Sequence, residues 1–134
     1  MGTQGMVVIL KDEEVFAKIV VGDNGMNVNK VADKIVRDEI TNGTKLYEAA
    51  KTCRFGCPTC LVVSCNNSEG ELIHIVDEDE FEPFEPGSLY ATQFKNPLFN
   101  PRWEIGMLER FAVIAITTKD DGKLDFAIRL WGRD

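Results

Sequence analysis

The chain of 134 residues has no long hydrophobic run, a single histidine and no excess of positive charge. Its longest apolar stretches, Met6 to Leu10 and Phe111 to Ile116, fall far short of the roughly 20 residues that a membrane helix needs. No membrane association is expected. The opening Met-Gly-Thr-Gln-Gly has no basic stretch leading into an apolar one, so no signal peptide is read there and a cytoplasmic location is expected. Without a secretory route, the four cysteines are expected as free thiols, metal ligands or core residues, not as a disulfide frame. The net charge is −7 and no Lys/Arg patch stands out, so direct nucleic-acid binding is not expected either.

What is present suits one globular domain over residues 1–134: 44% hydrophobic and 28% charged residues. Met6 to Leu10 and Val15 to Val21 are rich in Val and Ile and are separated by Lys11-Asp12-Glu13-Glu14, which predicts an N-terminal β-hairpin. Gly22-Asp23-Asn24-Gly25 breaks the chain. With Asn27 as its cap, a helix follows in which Val28, Val31, Ala32, Ile35 and Val36 recur on one face. Asn42-Gly43 reads as its C-terminal stop, and Thr44 as the cap of a shorter helix through Ala50. Leu61 to Ser64 and Leu72 to Val76 read as paired strands. Phe111 to Thr117, apolar on both faces, reads as a central strand. Asp120-Asp121-Gly122 predicts a turn into a last strand that carries Leu124, Phe126, Ile128 and Leu130. The expected fold is α+β: a mainly antiparallel sheet of about six strands with two helices on one face, in the order ββααββ-loop-ββ. The loop, about 77–103, is a long irregular excursion with four of the five prolines and an acidic run, Asp77, Glu78, Asp79, Glu80, Glu82 and Glu85.

The cysteines carry the plainest chemical signal. Cys53, Cys57, Cys60 and Cys65 are spaced C-x3-C-x2-C-x4-C. Four thiolates would suit zinc or an iron–sulfur cluster. An extended Cys60–Cys65 segment sets those two sulfurs roughly 16 Å apart and on opposite faces, which leaves Cys53, Cys57 and Cys60 as the metal-binding triplet. His74 is the candidate fourth ligand. If Cys65 stands opposite Glu71, Val62 pairs with His74 and Cys60 lies diagonally beside it, ~7 Å away. A one-residue slip would remove His74 from that face.

Cys53-Arg-Phe-Gly-Cys57-Pro-Thr-Cys60 resembles the cluster motif of radical-SAM enzymes, in a chain too short for their partial barrel and with Thr59 in place of their usual aromatic residue. Gly43 to Ala50 resembles the lead-in of plant-type ferredoxins, which implies an iron–sulfur electron carrier; the cysteine spacing is one residue short of theirs. The opening Met1-Gly2-Thr3-Gln4-Gly5, followed by a hairpin, resembles small microbial and phage proteins that begin Met-Gly-Thr-x-Gly, and this implies an origin in a phage or another mobile element. More distantly it is similar to N-terminal-nucleophile hydrolases, where loss of the preceding residues frees a threonine amine as base for its own hydroxyl. That resemblance implies Thr3 as nucleophile and Lys18 as the group that lowers its pKa. The leading expectation is a cytoplasmic interaction or regulatory module with a protein partner, stabilised by zinc. The alternatives are an amide hydrolase using Thr3 and an iron–sulfur electron carrier.

Overall fold

The computed structural model describes residues 5–21, 28–52, 61–66, 69, 71–76, 93–97 and 110–132. Among the described residues, six strands and two helices follow one another as β1 (Gly5–Lys11), β2 (Glu14–Val21), α1 (Val28–Arg37), α2 (Gly43–Thr52), β3 (Leu61–Asn66), β4 (Leu72–Val76), β5 (Arg110–Thr118) and β6 (Leu124–Gly132). They form a six-stranded sheet in the order β4-β3-β2-β1-β5-β6. The sheet is mixed and not simply antiparallel: β1 pairs with β5 in parallel, Gly5 opposite Arg110 through Lys11 opposite Ile116. The other strand pairs are antiparallel. Most of the predicted excursion at about 77–103, with its acidic run, lies outside the described residues, as does Asn27.

Two-residue alternation gives the sheet two apolar faces. One carries Val7, Ile9, Ala17, Ile19, Leu61, Val63, Cys65, Ala112, Ile114 and Ile116, and it packs against both helices. Helix α1 buries Val28, Val31, Ala32 and Ile35, and α2 buries Leu46, Ala49 and Ala50. The opposite face carries a second buried cluster of Met6, Val8, Val15, Val20, Val62 and Phe94. Between Ile9 and Leu10 the β1–β2 register shifts, because Ile9 pairs with Ala17 and Leu10 with Val15. Phe16 is the extra residue of this bulge and joins the helix-side cluster beside Ala17.

The helix boundaries differ from those read off the sequence. Helix α1 ends in a Schellman motif: Ile40 N–H donates to the Ile35 carbonyl at 3.0 Å and Glu39 N–H to that of Val36 at 3.3 Å. Glu39 takes the left-handed conformation there, with φ 51°. Asn42 instead opens α2. Its Oδ1 accepts the Lys45 N–H at 3.2 Å and its carbonyl accepts the Leu46 N–H at 2.9 Å, so Asn42 and not Thr44 is the cap. Gly43 is the first helical residue, and a Cβ there would stand 2.5 Å from Cys65 Sγ. The helix therefore needs a glycine to approach β3 this closely.

Candidate functional site

Strand β2 places a lysine where an apolar side chain would ordinarily stand. Lys18 lies between Ala17 and Ile19, directly opposite Val8 on β1 and Ser64 on β3. Ser64 is in turn opposite His74 on β4. Directly paired residues point to the same face, so Lys18, Ser64 and His74 form one transverse polar row across three strands. The row lies on the face away from the helices, among Met6, Val8, Val20 and Val62.

Lys18 is completely buried. Its Nζ donates to the Asn96 carbonyl at 2.7 Å and stands 5.4 Å from the centre of the Phe94 ring. Desolvation pushes the ammonium down to about 8, because a low-dielectric surrounding penalises the charged form. Ser64 is also completely buried, and its hydroxyl lies 2.8 Å from His74 Nδ1. Burial lowers the His74 pKa from the ordinary imidazole value, which favours the neutral ring at pH 7. In the neutral tautomer that carries its proton on Nε2, the serine hydroxyl donates to Nδ1.

Chemically, the row offers a hydroxyl on an imidazole and an amine held close to neutral pH, with aliphatic side chains around them. Fully buried lysines are rare in proteins. Perturbed titratable groups gathered in this way are candidates for a functional site.

Lys18 is far from the solvated position that a lysine on an outer strand face usually takes. Thr3, its implied partner, lies outside the described residues, as do Cys53, Cys57 and Cys60. His74 keeps the face expected of it, but the register is moved by two residues: Cys65 pairs with Ile73, and His74 with Ser64 instead of Val62. Cys65 points to the helix side, away from His74, and is buried against Gly43, with its thiol pKa raised by desolvation. Among the described residues, no group of three His, Cys, Asp or Glu side chains is gathered as a metal site. On the helix side a separate cleft of about 540 Å³ is lined by Lys11, Phe16, Asn42, Gly43, Cys65 and Ile73, among others. Sequence reasoning missed Ser64, Phe94 and Asn96. The signal available for them was Lys18 itself, a lone cation inside the apolar run Val15 to Val21. No protein family, curated protein or solved structure matches this chain.

Proposed function

We propose that the protein is a small amide hydrolase of the N-terminal-nucleophile kind, with Thr3 as nucleophile and Lys18 as the cation that serves it. The observation that carries this reading is the burial of Lys18, with its ammonium pushed down to about 8. An interaction module has no need of a lysine inside its sheet, where an aliphatic residue of similar size would be more stable. An enzyme does need a cation near neutral pH that can hold or release a proton. Lys18 also sits on the strand paired with β1, opposite Val8, five residues after Thr3.

In this reading, loss of Met1 and Gly2 frees the Thr3 amine to take the proton from its own hydroxyl as that oxygen attacks the amide carbonyl. The positive charge of Lys18 favours the developing alkoxide. The Ser64–His74 hydrogen bond supports a second reading on the same face, a serine nucleophile with an imidazole base.

Intact mass and covalent labelling test both. The untagged protein is treated with a β-lactone, which acylates threonine and serine nucleophiles alike, and the adduct is mapped by peptide mass spectrometry. The expected result is a chain beginning at Thr3 with the adduct on Thr3, lost in Thr3→Ala and in Lys18→Ala. A mature chain that keeps Gly2 sinks the threonine reading, and an adduct on Ser64 moves the nucleophile there. The zinc expectation is separate. Because His74 Nδ1 is engaged by Ser64, a metal held with Cys53, Cys57 and Cys60 would have to use Nε2. Metal analysis of protein purified without chelator decides that point.

A further inference from the structure

The segment Gln93–Pro97, helical at Gln93 and turning from Phe94 onward, meets the Lys18 row in the way a bound peptide would. Its Phe94 side chain is only 2% exposed and packs among Met6, Val8, Val15, Val20 and Val62. Two residues on, the Asn96 carbonyl accepts the Lys18 Nζ hydrogen bond at 2.7 Å. The turn is closed by the Asn96 N–H donating to the Gln93 carbonyl at 2.9 Å, while the Lys95 and Asn96 side chains face solvent. The segment thus turns an aromatic side chain into an apolar pocket, offers a main-chain carbonyl to a cation and leaves its polar side chains outside. Peptide recognition combines the same elements: pockets read side chains, and main-chain hydrogen bonds set the register. Phe94 alone would seal an aliphatic cluster; the buried ammonium beneath the Asn96 carbonyl adds a desolvation cost that sealing does not require.

We propose that Gln93–Pro97 is an internal stand-in for substrate, and that the site takes peptide segments with an aromatic residue two positions before the carbonyl that Lys18 binds. The substrate role rests on the hydrolase reading above; the binding mode does not. In the resting protein the turn occupies the row, and a substrate segment displaces it.

Amine labelling tests this. The protein is treated with acetic anhydride and the modification rate of each lysine is followed by mass spectrometry, with exposed Lys45 and Lys119 as internal standards. In the wild-type protein Lys18 is expected to react at least about tenfold more slowly than those two, since it must wait for local opening. In Phe94→Ala, with circular dichroism unchanged, Lys18 is expected to accelerate by about tenfold or more. An acetylated Thr-Gln-Phe-Lys-Asn-Pro peptide, its lysine already blocked, restores protection, and the same peptide with Ala for Phe does not. Phe94→Leu, a milder change, shows the same pattern with smaller acceleration and replaces Phe94→Ala if that variant does not fold. The proposal is overturned if Lys18 stays slow in the folded variant, if the peptide gives no protection, or if both peptides protect equally. A missing β-lactone adduct removes the hydrolase and leaves peptide protection standing, so the two failures are distinguishable.

Discussion

Asp12 binds Thr118 with both carboxylate oxygens: Oδ1 accepts the Thr118 N–H and Oδ2 its hydroxyl, each at 2.8 Å. The two residues are 106 positions apart, and the contact joins the β1–β2 turn to the end of β5. The Thr118 N–H, then its hydroxyl, holds the Asp12 carboxyl below its ordinary value of 3.8. An aspartate ionised more readily when folded adds stability above the unfolded pKa and loses it as pH falls through the folded one. Asp12→Asn is therefore expected to lower the melting temperature at pH 7, and the gap from wild type should close as pH falls below 3.8. A gap that stays constant with pH would refute the charge component.

The same turn carries a correctable strain. Asp12 and Glu13 both have positive φ, 48° and 72°, in a two-residue hairpin that favours Asn-Gly or Asp-Gly. Glu13→Gly supplies the favoured Asp-Gly pair and is expected to stabilise the protein by about 1 kcal/mol in chemical denaturation.

Gly43 and Cys65 are expected to be strongly coupled. Gly43→Ala drives a methyl group into the Cys65 sulfur and should cost about 1–3 kcal/mol, although alanine is otherwise the better helix former. In a Cys65→Ala background the cost should largely vanish. Additive effects in the double-mutant cycle would disprove the contact.

Lys18 makes stability depend on pH at the alkaline end. Its ordinary value of 10.5 falls to about 8 on folding, so the unfolded chain binds more protons between those two values. Stability attributable to this group therefore rises as pH climbs through that window. Relative to Lys18→Met, wild type is expected to gain on the order of 3 kcal/mol between pH 7 and pH 10.5, measured by urea unfolding at each pH. A difference that does not change with pH would mean that Lys18 is not desolvated.

Ser64→Ala removes the hydroxyl from His74 Nδ1 and should cost about 1–2 kcal/mol. In the wild-type protein, NMR should show this single histidine titrating below the ordinary 6.5. A midpoint at or above 6.5 would contradict its burial.

Much of the scaffold was legible from hydrophobic period. The strand-forming runs of Val and Ile and the one-sided helix Val28–Arg37 follow directly from local spacing. Asn42-Gly43 misled because the same pair serves equally well as the stop of one helix or the start of the next, and Glu39 carries no side-chain signal for a left-handed residue. The parallel β1–β5 pairing joins segments about a hundred residues apart, and alternation within a strand does not encode its neighbour's direction. The two-residue register offset at His74 was equally hidden, because a slip of two preserves the face. Lys18 stands out in the sequence, but its burial does not. The group that binds it, Asn96, is 78 positions away, and nothing in β2 announces it.

The place of β1 in the sheet also has a consequence for the order in which the chain matures. β1 lies between β2 and β5, so the first of these six strands to leave the ribosome has its second neighbour about a hundred residues later. The half made of β1, β2, β3 and β4 can pair as soon as residue 76 has emerged. Until Arg110–Thr118 follows, β1 presents an open, Val-rich edge to any other nascent chain, with Asp12 still waiting for Thr118. Translation speed across the intervening codons thus sets how long that edge is exposed, and crowding among neighbouring ribosomes sets what it meets.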